Sequence, residues 1–170
     1  MKDLSWDKYF MSLCNLVSMK SKDESTNFGA VIVNDDNQII STGYNSLPKG
    51  VCDEDPTKQL RPDKYEWMLH AEENAICNAA AIGNSTKGCR IYINGMPCAR
   101  CMRKIINAGI KEVIIDYQSN EIFYRESKGD WKDLNKITLQ MISESDIIVT
   151  WYEGDTINYI KRLIGGKSWS

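Results

Sequence analysis

One histidine and two cysteines constrain the fold of this chain more than any other feature of its sequence. His70, the only histidine among 170 residues, stands two positions before Glu72. Cys98 and Cys101 follow Pro97 further along the chain. One nitrogen ligand, two sulfur ligands and a free carboxylate are the groups that a catalytic zinc site requires when it converts water into a nucleophile. The fold must therefore bring two distant segments to one metal ion.

The spacing within each motif predicts how that segment presents its ligands. Cys98 and Cys101 are three residues apart, so on a helix they share one face. In the first turn of that helix, the helix dipole helps to keep both thiols ionised. His70 and Glu72 are two residues apart and would point in nearly opposite directions from the flank of a helix. Two helix starts that meet at one ion satisfy both spacings.

Three protein ligands leave a tetrahedral zinc ion one ligand short, which is typical of a catalytic site. The alternative is a closed structural site in which Cys52 or Cys89 provides a fourth ligand. Cys52 is the better candidate of the two, because it lies in a long polar loop and Cys89 opens a predicted strand. Cys14 and Cys77 lie within apolar helical patterns, and we expect both in the core.

Composition and charge favour a cytosolic protein with a small substrate. Hydrophobic residues make up 42% of the chain and charged residues 26%, as is usual for a globular protein. We find no apolar run of membrane-span length and no apolar signal region in residues 1–7. The net charge is −2 and both signs alternate along the chain, which argues against a polymeric nucleic-acid partner.

Hydrophobic periodicity predicts a chain in which helices and strands alternate. The predicted helices cover residues 5–19, 70–82, 98–108, 131–142 and 157–164. The predicted strands cover residues 28–33, 38–44, 89–93, 112–116 and 146–151. Residues 45–66 are expected to form a long loop. This order predicts a mixed five-stranded sheet with helices on both faces, a three-layer α/β/α fold, in which the last two strands are parallel.

The pairing of His-x-Glu with Pro-Cys-x-x-Cys is the signature of zinc nucleobase deaminases, and the sequence around it resembles the deoxycytidylate (dCMP) deaminases. The resemblance covers roughly residues 5–117 and is loose from residue 118 onward. It rests on residues 21–23, 29–34, 43–45, 48–50, 70–76, 97–101 and 105–114. It implies a cytidine deaminase-like fold and one zinc-dependent deaminase domain over residues 1–170, with a divergent C-terminal helix-strand-helix region.

The resemblance implies a cytoplasmic enzyme that hydrolyses dCMP to dUMP and ammonia, a step that supplies thymidylate synthesis. His70, Cys98 and Cys101 would bind one zinc ion, and Glu72 would carry protons. Other open interpretations are a deaminase of dCTP, cytidine or a tRNA base, and a nucleotide sensor that binds zinc without chemistry. The intact Glu72 argues against a sensor, which has no need of a proton carrier.

The resemblance points to five further residues as contacts for the substrate. Asn34, at the end of the first strand, would hydrogen-bond the deoxyribose; a hairpin-turn residue is the alternative. The backbone at Ala71 would bind the edge of the pyrimidine. Ser21 and Lys22 are candidates for the 5′-phosphate, with a solvated turn as the alternative. Tyr117 is a candidate for another nucleotide contact, or an aromatic at a strand end that packs on its neighbours.

The resemblance also implies regulation and assembly. Many relatives are homo-oligomers, often hexamers, that dCTP activates and dTTP inhibits in the presence of magnesium. Their effector motif is Gly-Tyr-Asn-Gly, and this chain has Tyr44 and Asn45 followed by Ser46 in place of the last glycine. Serine restricts the backbone where glycine does not. The acidic residues 53–55 could hold magnesium bound to a triphosphate, or form a solvated loop.

Overall fold

The computed structural model describes residues 4–126 and 131–156, without the side chains of residues 131–134, and the structural statements below concern these residues. Its α-helices are α1 (Trp6–Ser18), α2 (Lys64–Trp67), α3 (Ala71–Ala81), α4 (Ala99–Asn107), α5 (Tyr117–Glu126) and α6 (Trp131–Glu144). Its strands are β1 (Gly29–Val33), β2 (Ile39–Tyr44), β3 (Arg90–Ile93), β4 (Glu112–Asp116) and β5 (Ile148–Tyr152). A 3₁₀ turn covers Pro56–Gln59.

The strands form one mixed sheet in the order β2-β1-β3-β4-β5. β1 pairs antiparallel with both β2 and β3, whereas β3, β4 and β5 run parallel. The predicted mixed five-stranded sheet is confirmed, and so is the parallel pairing of its last two strands. β3 is therefore the middle strand of the sheet, and β1 lies beside it. The chain continues from β3 into α4.

Helices cover both faces of the sheet. Every residue of β1 is buried, as expected for a strand that is enclosed on both faces. One hydrophobic cluster joins α1 to one face and contains Phe10, Met11, Cys14, Val31, Val33, Tyr92 and Ile114. The cluster on the other face includes Ala30, Ile32, Ala75, Ile91, Ile93, Met102 and Ile105. Alternate side chains of β1 thus enter different clusters, which follows from the two-residue period of a strand.

α3 lies across β2 and is tied to it by polar contacts. The Ser41 hydroxyl donates to the Ala75 carbonyl at 2.7 Å, and the Asn74 amide donates to the Tyr44 carbonyl at 2.9 Å. Further along the helix, the Asn78 amide donates to the Thr42 carbonyl at 3.0 Å. These contacts fix the position of α3 along the strand, and with it the position of the helix start.

The structure differs from the sequence-based expectations in three places. The loop predicted over residues 45–66 contains the 3₁₀ turn and the start of α2, and α5 was not predicted. Cys77 is exposed, which corrects its expected place in the core, because the buried side of α3 is formed by Ala71, Glu72, Ala75 and Ala79. Cys14 is buried as expected. The helix predicted over residues 157–164 lies outside the described residues.

The helices of the described chain include none with the length and apolar composition that a membrane crossing requires.

Gly43 of β2 allows α3 to approach the sheet closely. A Cβ atom at residue 43 would lie 2.3 Å from both the Ala71 carbonyl oxygen and the Ala75 nitrogen. Backbone atoms cannot move aside as a flexible side chain can, so Gly43→Ala must displace the helix. We expect it to lower the free energy of unfolding by about 3 kcal/mol, measured by urea denaturation.

Gly83→Ala is the matched control for that substitution. Gly83 has a φ of +77°, and no atom lies within 4 Å of the place that a Cβ atom would take, so only backbone strain opposes alanine there. Its expected cost is about 1–2 kcal/mol. Equal losses for the two variants would contradict a steric role for Gly43.

Candidate active site

The His-x-Glu and Cys-x-x-Cys motifs lie at two helix starts. His70 is the N-cap residue of α3, with φ −75° and ψ 158°. Cys98 is the N-cap residue of α4, with φ −69° and ψ 167°. Their extended backbones place both side chains beyond the ends of the helices, while Cys101 projects from the first turn of α4. The predicted meeting of two helix starts is confirmed.

The ligand atoms are close enough for one ion. The His70 Nδ1 atom lies 3.5 Å from the Cys98 Sγ atom and 3.4 Å from the Cys101 Sγ atom. A tetrahedral zinc ion with ordinary bond lengths would separate nitrogen and sulfur ligands by about 3.6 Å. All three ligand atoms lie within 4.8 Å of one another. The donor set and its spacing therefore fit zinc.

The alternative of a closed four-ligand site finds no support in the described chain. There, the group of potential ligands consists of His70, Cys98 and Cys101. Cys52 is exposed on the loop, and Cys89 is buried just before β3, at the opposite end of that strand from Cys98. A three-ligand set leaves a coordination position for water or substrate, as catalytic zinc sites do.

The two thiols and the imidazole strongly influence one another's protonation. Hydrogen bonding by Cys101, and secondly by His70, lowers the pKa of the Cys98 thiol to about 3 against the effect of burial. The contact with Cys98 raises the pKa of His70 to about 9. The hydrogen bond between the two thiols, and secondly burial, raises the pKa of Cys101. A metal ion bound here would release the thiol protons, because thiols bind metals as thiolates.

Glu72 adds a buried carboxyl group beside the ligands. It lies in the first turn of α3 and is only 8% exposed. Burial raises its pKa, and the nearby charge of His70 partly opposes that rise. A carboxyl group whose pKa is raised towards neutrality both accepts and returns a proton readily.

Glu72 and two of the three ligand residues line a cavity of about 110 Å³. His70, Glu72 and Cys98 line it together with the ends of β1 and β3. The Phe28 and Phe123 rings, 5.2 Å apart in a T-shaped contact, also line the cavity. The arrangement places a buried carboxyl group, metal-ligand atoms and an apolar wall side by side, which suits a flat heterocyclic ligand.

Two buried asparagines hold the loop beside the cavity. The Asn45 side chain accepts from the Phe28 N–H and donates to the Thr26 carbonyl, both at 2.8 Å. The Asn94 side chain accepts from the Gly29 N–H at 2.9 Å. Asn45, a predicted effector residue, therefore lines the active-site cavity, and its side-chain amide is already hydrogen-bonded to the backbone of the protein.

The backbones of Tyr44 and Ser46, the other residues of the predicted effector motif, also form hydrogen bonds within the protein. The Tyr44 carbonyl accepts from the Asn74 side chain. The backbone of Ser46 exchanges hydrogen bonds of 3.1 and 2.9 Å with Leu69, just before His70. Ser46 thus connects the end of β2 to the start of the metal-ligand segment.

The structure places Asn34 away from the cavity. Asn34 follows β1 at the end opposite Gly29, which lines the cavity, and a five-residue strand spans about 15 Å. Its side chain exchanges two hydrogen bonds of 2.8 Å with Gln38 across the hairpin turn. This corrects the placement expected for Asn34, and its contacts match the alternative, a hairpin-turn residue.

The candidate phosphate residues also lie outside the cavity lining. The Ser21 hydroxyl donates to the Asn45 carbonyl at 2.8 Å. Lys22 is exposed and pairs with Asp53 at 2.5 Å. The same loop lines the cavity through Asp23 and Ser25 instead. Phosphate binding by Ser21 and Lys22 stays a prediction, and the structure places both beside the cavity lining rather than in it.

The other two predicted contacts differ in their position relative to the cavity. Ala71 is the first residue of α3 and is buried between the cavity-lining residues His70 and Glu72. Tyr117 begins α5, is 43% exposed, and its ring centroid lies 6.0 Å from that of Trp151. Tyr117 is not part of the cavity lining, so its contacts match the alternative of a strand-end aromatic that packs on a neighbour.

Residues of α2 and the loop before it complete the cavity and were missed from the sequence. Arg61, Lys64 and Tyr65 line it. Lys64 is buried, and its ammonium contacts the Asp23 carboxylate at 2.6 Å and the Ser25 hydroxyl at 2.9 Å. The one available signal was the mixture of charged and aromatic residues shortly before His70.

Comparison with known proteins agrees with this geometry. Residues 4–117 match a family model described as the cytidine and deoxycytidylate deaminase zinc-binding region. A human protein named deoxycytidylate deaminase is 44% identical over 119 residues, which are 65% of this chain and 64% of that protein. An Aliivibrio fischeri protein named as an uncharacterized deaminase is 38% identical over 152 residues, covering 89% of this chain and 97% of its own.

A solved structure shares the fold. A dCMP deaminase from the cyanophage S-TIM5, in complex with dCMP and dUMP, has a TM-score of 0.63 and 24% identity. The match covers 85% of this chain and 95% of that one. The cytidine deaminase-like α/β fold expected from the sequence is confirmed. Against the vertebrate relatives, the chain spans 64% of their length.

Zinc content tests the ligand set directly. We expect the purified protein to hold about one zinc ion per chain, and Cys101→Ser to weaken binding by more than the roughly 10- to 100-fold that the loss of an outer-shell contact costs. Metal analysis after dialysis against a chelator series measures this. Cys52→Ser is the control and should retain its zinc; a loss of zinc in that variant would favour a four-ligand site.

The buried Asp23–Lys64 pair predicts a large effect on stability. Asp23→Asn removes one charge and leaves the charged Lys64 side chain, only 5% exposed, without its counter-charge. Such a change costs about 3–5 kcal/mol, and thermal or urea unfolding would measure it. The double variant Asp23→Asn/Lys64→Met removes both charges and should recover part of the loss. An additive loss in the double variant would show that the two side chains act independently.

Proposed function

Because the chain belongs to the cytidine and deoxycytidylate deaminase family, we propose that it hydrolyses dCMP to dUMP and ammonia. The observation that carries the proposal is Glu72, a buried carboxyl group that lines the same cavity as His70 and Cys98, whose ligand atoms form one group with that of Cys101. The names of the human relative and of the phage structure, which holds dCMP and dUMP, support the choice of substrate.

His70, Cys98 and Cys101 would hold the zinc ion through one nitrogen and two sulfur atoms. Zinc bound there would supply hydroxide at neutral pH, because it lowers the pKa of a water ligand from 15.7 to about 7. The N-termini of α3 and α4 both point their positive dipole ends towards the ligands, which favours the thiolate forms.

Glu72 carries the protons in the proposed reaction. It takes a proton from the attacking water and gives it to the ring nitrogen next to the amino-bearing carbon. After the carbon–oxygen bond has formed, Glu72 takes the proton of the new hydroxyl group and transfers it to the amino group. The carbon–nitrogen bond then breaks and ammonia leaves, so that one dCMP and one water yield one dUMP and one ammonia. The raised pKa of Glu72 suits both transfers.

The neighbouring groups position the base. The backbone at Ala71 would bind the edge of the pyrimidine at the start of α3. Phe28 and Phe123 would pack against the ring, because both line the cavity and form its apolar wall. Excluding water from this face strengthens the electrostatic interactions at the reacting carbon.

Regulation, assembly and organisation belong to the same proposal. Effectors such as dCTP and dTTP, with magnesium held on the triphosphate, would act through Tyr44 and Asn45, and the position of Asn45 at the cavity supports a route to the substrate. We also propose a homo-oligomer, for example a hexamer, in the cytoplasm. Residues 1–170 would form one deaminase domain.

The decisive variant is Glu72→Gln. The wild-type protein with equimolar zinc should release ammonia from dCMP, and Glu72→Gln should keep its zinc but lose about 10²- to 10⁴-fold in kcat because no group carries the proton. A coupled ammonia assay gives the rates, and metal analysis gives the zinc content.

Glu73→Gln is the matched control for this variant. Glu73 is the next residue of α3, pairs with Lys104 of α4 and does not line the cavity. It should retain most of the turnover. Full activity in Glu72→Gln would remove Glu72 from the mechanism, and a wild-type protein without ammonia release would refute the proposed function.

A further inference from the structure

Arg61 stands apart from the other cations around the cavity. It lines the cavity and is exposed to solvent. Its Nε atom donates to the Tyr65 hydroxyl at 2.8 Å, and its guanidinium carbon lies 5.7 Å from the centre of the Tyr65 ring. None of the ion pairs among the described residues involves Arg61. Tyr65 therefore holds a guanidinium group whose charge has no carboxylate partner in residues 4–126 or 135–156.

Two lysines near Arg61 are each paired with a carboxylate. Lys64 lines the cavity but is buried against Asp23. Lys22, the residue expected from the sequence to bind phosphate, pairs with Asp53. An anion that enters the cavity would have to displace a carboxylate from either lysine, whereas Arg61 needs no such exchange.

The difference in burial between Glu72 and Arg61 determines which end of a bound nucleotide faces the solvent. Glu72 is buried, whereas Arg61 also lines the cavity but is exposed, so Arg61 marks the side on which the cavity opens to solvent. The amino group of the base must reach Glu72 and the metal ligands. The substituent on the 5′ carbon of the sugar then extends towards the opening, where Arg61 lies.

We propose that Arg61, oriented by Tyr65, binds the 5′-phosphate and makes this site selective for a nucleotide over the corresponding nucleoside. A guanidinium group offers parallel N–H donors that match two phosphate oxygens, and its charge strengthens both hydrogen bonds. The proposal rests on the proposed function for the position of the base. It replaces Ser21 and Lys22 as the predicted phosphate contacts.

The test compares two substrates in three variants. Arg61→Gln removes the charge at similar length, and Arg61→Lys keeps the charge without the planar fork. The matched control is Arg103→Gln, an exposed arginine of α4 outside the cavity lining. The values of kcat/KM are measured for dCMP and for deoxycytidine, with zinc content and thermal unfolding recorded for each protein.

We expect Arg61→Gln to lower kcat/KM for dCMP about 10- to 100-fold, as the loss of charged hydrogen bonds predicts, and to change that for deoxycytidine less than about threefold. Arg61→Lys should recover part of the dCMP value, and Arg103→Gln should match the wild type. Equal losses on the two substrates, or no loss on dCMP, would overturn the proposal.

A binding measurement separates this proposal from the proposed function. Calorimetry with dUMP and deoxyuridine reports the phosphate contact without turnover. If dUMP binds more tightly than deoxyuridine and Arg61→Gln removes the difference, the phosphate site stands even where the wild-type protein releases no ammonia. If the wild-type protein binds the two equally, the phosphate site is refuted while deamination is judged separately by ammonia release.

Discussion

The site depends on two helices that begin at the same place. The N-cap side chains of α3 and α4 meet so closely that a nitrogen and a sulfur atom are 3.5 Å apart. Neither helix determines that distance alone, because α3 is positioned by β2 and α4 follows β3. The pairing of β1 with both strands relates the two helix starts, and Gly43 lets α3 approach the sheet. The Glu73–Lys104 ion pair joins the two helices one turn further on.

Placing four ionisable groups in one partly buried volume has an electrostatic consequence. Buried charge is costly unless it is paired or bound to a metal, and the site contains His70, Cys98, Cys101 and Glu72. Contact between the two thiols lowers the pKa of Cys98 and raises that of Cys101, so they do not ionise together. A dication reduces the cost of buried charge further, since two thiolates and an imidazole then surround a positive centre. The fold is therefore suited to a metal for reasons of stability as well as chemistry.

Local spacing predicted the metal-binding part of the site well. The His-x-Glu and Cys-x-x-Cys intervals depend on helix geometry within a few residues, so the sequence alone indicated helix ends for both. Residues further from the motifs were predicted less well. Asn34 illustrates the limit, because a strand has two ends and periodicity does not tell which end faces the site.

The sequence did not predict the residues of α2 and α5 that line the cavity, because their contacts join distant parts of the chain. Lys64 meets an aspartate 41 positions earlier in the chain, and no sequence period reports such a pairing. α5 has no wide apolar stripe, since Asn120 is its buried residue and the rings of Phe123 and Tyr124 are half-buried along the cavity. A helix that faces a cavity lacks the continuous hydrophobic face that identifies core helices.

The segment before His70 places a stabilising ion pair and the proposed phosphate contact within five residues. Lys64 points inward to Asp23 and Ser25, so it fastens the segment to the loop that precedes β1. Arg61 and Tyr65 bond to each other one turn apart at the exposed side. The buried pair fixes the backbone that carries Arg61. Less conformational entropy is then lost when Arg61 binds a ligand, because its backbone is already ordered. A cation placed on a loop without such an anchor would lose more freedom on binding phosphate and discriminate less between a nucleotide and a nucleoside.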